Sequence, residues 1–314
     1  MTEQVQAAQA LPPFSSVLKS REVEDPVNLW FNRPLAYGFV ALVFRTPITP
    51  NQVTLLATLV GLVAAGGIAL GTPTAMLWGG ILLWTSAILD GADGILARAK
   101  KLQSDMGRAL DGTADLVVAG AVIVAAIYHL WVQHHSIEIF VLCVATVMSS
   151  VFHIYLYDYY KESYLTLTRG EGEGRFETRV EVAERLARLK REGASWVVQL
   201  AAKLYVDLLR NQHFAVSRTN PAGLREGKVY KLSPELAATY RQHNRAPMRL
   251  WTWISLAPHT YLMAIFAMLD RFDIYLWVRL VLANVMLLVA LFWQRNGSIA
   301  VAPALTQAAV TGDS

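Results

Sequence analysis

The chain has 314 residues, of which 54% are hydrophobic and 17% are charged, and its formal net charge at neutral pH is +4. A typical soluble domain is about 45–50% apolar and about 25% charged. The composition therefore excludes a disordered chain and argues against a water-soluble enzyme.

The N-terminal part of the chain predicts a tail followed by a short helix. Residues 1–27 lack a basic stretch followed by an apolar one, so they predict a mobile cytosolic tail without a signal peptide. Residues 28–46 are rich in aromatic side chains, but their central apolar stretch, Leu35 to Phe44, is short. Because a membrane crossing needs about 20 apolar residues, we favour a helix that lies in the membrane interface at residues 28–46, with a seventh crossing as the alternative.

Long stretches without charge predict an all-α integral membrane protein. Between Arg45 and Asp90, for example, 44 residues contain no Asp, Glu, Lys or Arg. Thr49 and Pro50 before this stretch are typical of a helix start. Six transmembrane helices are predicted, at about 52–70, 75–99, 108–132, 138–160, 250–269 and 274–294.

The distribution of basic residues predicts the orientation of these helices. Four basic residues lie at or near the second connection: Arg98, Lys100, Lys101 and Arg108. The connections at 71–74 and 133–137 carry no Lys or Arg. The positive-inside rule then places the 99–107 loop and both termini in the cytosol, including a C-terminal tail at 295–314. In a bacterium the protein is expected in the cytoplasmic membrane.

Residues 161–249 differ in kind from the membrane segments on either side, 28–160 and 250–294. They contain 17 Lys and Arg against 10 Asp and Glu, whereas the rest of the chain is net acidic. We interpret them as a basic cytosolic helical insertion that rests on an anionic membrane surface. A solvated helical pair packed on itself is an equally good interpretation. The basic charge thus indicates membrane lipid, and no nucleic acid, as partner.

Four aspartates stand where apolar helices reach the cytosolic side. Asp90 and Asp93 are three residues apart and Asp111 and Asp115 are four apart, so each pair shares one face of a helix. The two helices are joined by a short loop and are expected to be antiparallel neighbours. Acidic side chains at membrane depth are costly and indicate a functional site.

Oxygen ligands clustered in this way favour a hard cation, Mg²⁺ or Mn²⁺, which often completes its shell with substrate phosphates. The small residues Gly91, Gly94, Ala97 and Gly107 would let a ligand approach the backbone. Arg98 adds a cation suited to phosphate.

The whole spacing, Asp90-x2-Asp93-Gly94-x2-Ala97-Arg98-x8-Gly107-x3-Asp111-x3-Asp115, resembles the signature of the CDP-alcohol phosphotransferase family. The resemblance implies six transmembrane helices behind an interfacial helix, a homodimer, and one or two divalent ions. The implied metal ligands are Asp90, Asp93, Asp111 and Asp115, with Asp115 also the general base. The implied groups for the CDP moiety are Gly94, Ala97, Arg98 and Gly107, and further candidates are Asn51 and Thr54 in the opening of the first crossing.

The resemblance leaves two substrate directions open. We favour transfer of a phosphatidyl group from CDP-diacylglycerol to a soluble alcohol with release of CMP, because Ala97-Arg98 in a compact six-helix chain is similar to that branch. The alternative is transfer from a soluble CDP-alcohol, such as CDP-choline or CDP-ethanolamine, to diacylglycerol. Candidates for holding a substrate phosphate are Lys161, Arg245 and Arg249.

Two other classes of membrane protein use acidic residues in helices. Membrane prenyltransferases carry two Asp-rich motifs that lie far apart in sequence, whereas both pairs here fall between Asp90 and Asp115. Cation transporters, which are not enzymes, use intramembrane carboxylates but have no need of Gly94, Ala97, Arg98 and Gly107 together. Release of CMP from a CDP-alcohol would distinguish the favoured class from both.

Overall fold

A computed structural model describes residues 10–17, 21–171, 173–175, 179–193, 196–223 and 228–310. The predicted mobile tail therefore lies partly outside the described residues. The described chain forms two compact units. One contains the residues up to Ser150 together with Leu256–Asn284, and the other contains Val151–Ser255 together with the residues from Val285 onward.

Helices make up most of both units. They are α1 Phe14–Val17, α2 Arg33–Val43, α3 Pro50–Leu70, α4 Pro73–Ala99, α5 Asp105–His134, α6 Ile137–Leu167, α7 Arg179–Arg191, α8 Trp196–Thr219, α9 Pro234–Thr252, α10 Leu256–Met268, α11 Phe272–Trp277 and α12 Ala283–Ala308. Two π-helical turns, Asn28–Asn32 and Val278–Leu282, lead into α2 and α12. Three short strands are also present: β1 Glu173–Arg175, β2 Val229–Lys231 and β3 Ala309–Val310.

Five described helical stretches are long and apolar enough to cross a membrane: Pro50–Leu70, Pro73–Ala99, Leu110–His134, Ile137–Leu167 and Phe272–Ala308. They overlap the first four predicted crossings and the last one, but the last helix continues to Ala308, through most of the segment 295–314 that was predicted to be a C-terminal tail. The prediction of an all-α integral membrane protein is confirmed at this level. The count of six crossings is not.

The predicted fifth crossing, 250–269, is divided by a turn. Helix α9 ends at Thr252 and α10 begins at Leu256, so α10 has only 13 residues and a length of about 20 Å. Pro258 has no backbone N–H, so it cannot donate to the carbonyl four residues earlier, and an uninterrupted helix would lose that bond. Apolar composition alone does not reveal such an interruption.

The segment predicted to lie in the interface is helical but short. After the π-helical turn, α2 ends at Val43, and Ala36 and Val40 on one of its faces are buried in a core that also contains Ala92 and Ile95 of α4. Large apolar side chains elsewhere in the segment are exposed. Trp30 in the π-helical turn and Leu42 near the end of α2 are both about four-fifths exposed. This arrangement suits a helix at a membrane surface, and its placement there stays a prediction.

Helices α3, α4 and α5 approach one another closely because small residues lie where they cross. A Cβ atom on Gly61 would stand 2.6 Å from Cγ1 of Val118 and 2.8 Å from Oγ of Ser86. On α4, a Cβ atom on Gly80 would clash with the carbonyl oxygen of Ala264 in α10. Glycine at these positions allows the backbones to pack closely, as is common between membrane helices.

Capped helix ends fix how these helices succeed one another. Thr49 and Gln52 form a reciprocal capping box at the start of α3, as the Thr49-Pro50 signal predicted. Gly71 ends α3 in the left-handed conformation, with φ of 68°, and Thr72 caps α4. The amine of Lys100 donates to the carbonyl oxygens of Thr46 and Ile48 at 2.8 and 2.7 Å, which ties the end of α4 to the start of α3.

The second unit contains the basic insertion. Its helices α7 and α8 agree with the expectation of a helical insertion, although many side chains in the first half of α8 lie outside the described residues. The short antiparallel sheet β1-β2-β3 was not predicted. In this sheet Tyr230 of the insertion pairs with both Gly174 and Ala309, so strands of two or three residues are formed by segments far apart in sequence.

Candidate active site

Helices α4 and α5 bring three of the predicted aspartates together. One carboxylate oxygen each of Asp90, Asp93 and Asp111 lie within 4.8 Å of one another. Asp93 is buried, with 6% of its surface exposed, and the other two are half-buried. The spacing of three residues on α4 and the antiparallel course of α5 account for this convergence.

The fourth predicted aspartate joins the same group. Asp115 lies one turn beyond Asp111 on α5, and its side chain is exposed. Its charge acts on Asp90. The charges of Asp111 and Asp115 also act on Asp93. Four acidic groups therefore share one small region.

Helix α3 contributes a hydroxyl group to this region. Thr54 is buried, and its Oγ1 donates to the carboxylate of Asp93. The same oxygen lies 3.2 Å from the carbonyl oxygen of Pro50, one turn earlier in the helix. Thr54 therefore orients Asp93, which was predicted to bind metal. Thr54 itself was predicted to contact the CDP moiety.

The beginnings of α3 and α5 meet at two other predicted residues. A Cβ atom on Gly107 would stand 3.5 Å from Oδ1 of Asn51 and 3.1 Å from Oγ of Ser104. Ser104 caps α5 by accepting the Gly107 N–H at 3.0 Å. The small residue thus leaves an opening between Asn51 and the first turn of α5.

Arg98 lies along α4 beside the predicted small residues. Its Nη1 would be 3.4 Å from a Cβ atom on Gly94, and its Nε donates to the carbonyl oxygen of Val17 at 2.5 Å. Ala97, the residue before Arg98, is half-buried. Its carbonyl oxygen accepts the backbone N–H of Leu102 at 2.9 Å, at the point where α4 ends. The guanidinium group of Arg98 therefore lies beside Gly94 of its own helix and is held there by the hydrogen bond to Val17.

The predicted phosphate-binding residues outside the motif belong to the second unit. Lys161 forms an ion pair with Asp158 at 2.7 Å. Arg245 and Arg249 are exposed residues of α9. A role for these three residues at the aspartate cluster stays a prediction.

Two charged residues near α4 were missed by sequence reasoning. Nη1 of Arg33 donates to the carbonyl oxygen of Gly91 at 3.3 Å, although the two residues are 58 positions apart. Arg33 is also paired with Glu24, with Nε to Oε2 at 3.0 Å and Nη2 to Oε1 at 3.3 Å. In the sequence Arg33 is one arginine at the edge of an aromatic segment, and no spacing rule links it to the motif.

The segment that carries Glu24 is fixed by its neighbour Asp25. The Asp25 carboxylate accepts from the backbone N–H of Asn28 at 3.0 Å and from the hydroxyl group of Tyr261 at 3.4 Å. Burial raises the pKa of Asp25 above its usual value, because the charged form is desolvated. The chain before α2 is therefore held within the unit that contains the aspartates, through its contact with Tyr261 of α10.

The donor set fits a divalent cation. The ligand atoms available from Asp90, Asp93 and Asp111 are all carboxylate oxygens, the ligands that Mg²⁺ and Mn²⁺ prefer. Carboxylates at this separation repel one another, and a cation between them removes that repulsion. The hydroxyl group of Thr54 on Asp93 is the kind of outer contact that orients a metal ligand.

These helices define a membrane-bound domain with an acidic cluster at the junction of α4 and α5, and comparison with known proteins identifies its class. Residues 47–179 match the family model described as CDP-alcohol phosphatidyltransferase. The chain therefore carries a domain of this transferase family, and the resemblance seen in the motif is confirmed. The family is generally dependent on divalent metals, and its substrates are a CDP-alcohol and an alcohol, one of them lipidic.

Individual relatives show similarity over the same domain. A phosphatidylinositol phosphate synthase of Mycobacteroides abscessus is 34% identical over 113 residues, which cover 36% of this chain and 47% of that protein. A bifunctional IPC transferase and DIPP synthase of Rubrobacter xylanophilus is 33% identical over 102 residues, or 31% of this chain and 23% of that protein. A protein of the same name from Thermococcus kodakarensis is 38% identical over 81 residues, or 26% of this chain and 18% of that protein. The chain spans less than half the length of each of these relatives.

Proposed function

We propose that the protein transfers a phosphatidyl group from CDP-diacylglycerol to a soluble alcohol and releases CMP. The observation that carries the proposal is the convergence of Asp90, Asp93 and Asp111 within 4.8 Å, in a domain of the CDP-alcohol phosphatidyltransferase family. The acidic cluster suits the metal–diphosphate of a CDP-linked donor. The apolar helices around it suit a lipidic substrate.

The direction of transfer is supported by one relative. The name of the Mycobacteroides abscessus protein, phosphatidylinositol phosphate synthase, describes a phosphatidyl product. Similarity to it favours CDP-diacylglycerol as donor, and a soluble, phosphate-bearing alcohol as acceptor. Such an acceptor needs cations of its own, and our candidates are Lys161, Arg245 and Arg249.

In the proposed site the acidic residues hold Mg²⁺ or Mn²⁺, as one or two ions. Asp90, Asp93, Asp111 and Asp115 are the ligands, and Thr54 keeps the Asp93 carboxylate in one orientation. When bound, the cation neutralises charge on the diphosphate and on the leaving CMP. Arg98, whose guanidinium group lies beside Gly94, binds the diphosphate. Ala97, Gly107 and Asn51 border the space for the cytidine.

In the chemical step, the acceptor hydroxyl oxygen attacks the phosphorus atom distal to the cytidine. A new phosphorus–oxygen bond forms, and the bond between that phosphorus and the CMP oxygen breaks. Asp115 takes the hydroxyl proton, and its exposed side chain leaves it accessible to a soluble acceptor. A positioned base of this kind typically contributes about 10²–10⁴-fold to the rate.

The expected setting of the site follows from the charges around it. The basic residues in and near the loop after α4 favour a cytosolic orientation of the site and of both termini. A site at the membrane–water boundary lets a lipidic donor meet a soluble acceptor. We retain a homodimer as part of the proposal, on the strength of the family resemblance.

The test is release of CMP by the purified full-length protein in detergent or lipid nanodiscs. CDP-diacylglycerol is offered with a panel of soluble alcohols, and diacylglycerol with CDP-choline or CDP-ethanolamine, each with Mg²⁺, with Mn²⁺ and with a chelator. We expect metal-dependent CMP release from CDP-diacylglycerol only, and mass spectrometry should find the phosphatidyl group on the acceptor.

Two outcomes would overturn the proposal. Turnover only with diacylglycerol as acceptor would establish the reverse direction. CMP release from no donor, by protein that still shows a cooperative thermal transition, would reject the transferase activity.

A further inference from the structure

Two guanidinium groups lie over the glycines of α4, beside the aspartate cluster. Gly94 is one turn from Asp90, and Gly91 is one turn from Gly94, so both glycines lie on the same side of Asp90 around the helix. A Cβ atom on Gly91 would meet Nη1 of Arg33 at 3.0 Å, and one on Gly94 would meet Nη1 of Arg98 at 3.4 Å. The missing side chains thus leave room for two arginines against one stretch of helix.

Arg33 is held in this place from two directions. It donates to the carbonyl oxygen of Gly91, and it forms a two-point pair with the Glu24 carboxylate. The side chains of Arg33 and Glu24 are only 17% and 9% exposed. A two-point pair fixes the plane of a guanidinium group as well as its position. Arg33 is therefore ordered at the helix segment between Asp90 and Asp93.

The charges around Arg98 are suited to an anion. Arg33, Glu24 and Asp93 all act electrostatically on its guanidinium group. Two guanidinium groups and one glutamate leave an excess positive charge next to the acidic cluster. Like charges repel at short range, and a phosphate group that contacts both arginines offsets this repulsion with charge-assisted hydrogen bonds. The proposed donor brings a diphosphate to this same helix.

We infer that Arg33 binds the donor diphosphate together with Arg98, and that Glu24 is the residue that positions Arg33. The inference rests on the proposed function, because the diphosphate is that of its donor. Arg33 precedes residues 47–179, so the family match does not assign it a role. The site would then have a metal-binding carboxylate side and a guanidinium side, with the diphosphate between them.

The test is calorimetric titration of CDP, in the presence of Mg²⁺, into the full-length protein and its variants. Arg33→Gln should raise the dissociation constant of CDP about tenfold or more, as expected for loss of one charge-assisted hydrogen bond. Glu24→Gln should raise the dissociation constant of CDP less, because Arg33 keeps its charge but loses the carboxylate that positions it. The matched control is Arg45→Gln, which removes an exposed arginine just beyond α2 and should leave the affinity unchanged.

A purely structural role for Arg33 predicts a different pattern. The Arg33→Gln protein would then unfold at a lower temperature and bind CDP with the affinity of the Arg45→Gln control, and this result would overturn the inference. If Arg33→Gln shows no cooperative unfolding, the test rests on the variants Arg33→Lys and Glu24→Gln. Unchanged CDP affinity in both variants would overturn the inference.

The inference and the proposed function fail in different ways. Wild-type protein that releases no CMP from any donor rejects the function. Wild-type protein that releases CMP, while Arg33→Gln keeps its CDP affinity and its KM for the donor, rejects only the role of Arg33.

Discussion

A single hydroxyl group links helix α3 to the aspartate cluster, and its removal tests the proposed metal site. In Thr54→Val a methyl group replaces the Oγ1 that donates to Asp93, and the shape of the side chain is nearly kept. Thr54 is 4% exposed and Asp93 is 6% exposed, so solvent has little access to replace the lost donor. The Asp93 carboxylate should therefore lose the contact that fixes its orientation.

The size of the effect follows from the kind of contact that is lost. A hydrogen bond to a charged group contributes about 1.5–3 kcal/mol, and losing an outer partner of a metal ligand typically costs about 10–100-fold in affinity or activity. We therefore expect the Mn²⁺ concentration that half-saturates CDP binding to rise about 10–100-fold in Thr54→Val. The assay is calorimetric titration of CDP at a series of Mn²⁺ concentrations.

The matched control is Thr58→Val on the same helix. Thr58 is half-buried, and its hydroxyl group donates at 2.8 Å to the carbonyl oxygen of Thr54 within its own helix. This control should keep the Mn²⁺ dependence of the wild type. If Thr54→Val and Thr58→Val have the same Mn²⁺ midpoint as the wild type, the assignment of Asp93 as an oriented metal ligand is refuted.

Three further predictions concern the site and the fold. Asp115→Asn should keep CDP binding but lower the rate of CMP release about 10²–10⁴-fold, and full activity would contradict its role as base. Asp93→Ala should abolish metal-dependent CDP binding in calorimetry, and unchanged binding would reject it as a ligand. Gly71→Ala should lower the free energy of unfolding by more than about 1 kcal/mol, because φ is 68° and the new Cβ atom would stand 2.6 Å from Nδ1 of His129. In thermal denaturation, Gly66→Ala is its control: no atom among the described residues lies within 4 Å of that Cβ, so stability should not fall.

The sequence predicts the membrane helices and the aspartate cluster because both depend on local regularities. Uncharged stretches longer than a bilayer crossing predict α3 to α6, and capping residues such as Thr49 predict where a helix starts. Asp90 and Asp93 share a helix face by spacing alone. Their approach to Asp111 follows from a short loop between antiparallel helices, so the convergence needs little knowledge of tertiary packing.

Features that depend on distant contacts could not be predicted in this way. The turn between α9 and α10 interrupts an apolar stretch whose composition suits a continuous crossing. The strand at Tyr230 has only three residues, too few for an alternating pattern to stand out. Arg33 reaches Gly91 across 58 positions, and its contact depends on the packing of α2 against α4. In each case tertiary structure decides what the local pattern leaves open.

The charges on α4 also distinguish between the classes of protein that place carboxylates in membrane helices. A site that passes free cations gains nothing from a guanidinium group nearby, since Arg98 repels the ion that Asp90 and Asp93 attract. A metal–diphosphate complex carries both signs of charge and needs both kinds of partner. Arg98 lies over Gly94, five residues beyond Asp93 and eight beyond Asp90 on the same helix, and is acted on by the charge of Asp93. Opposite charges held apart along one helix therefore favour a nucleotide diphosphate, rather than a bare cation, as the ligand.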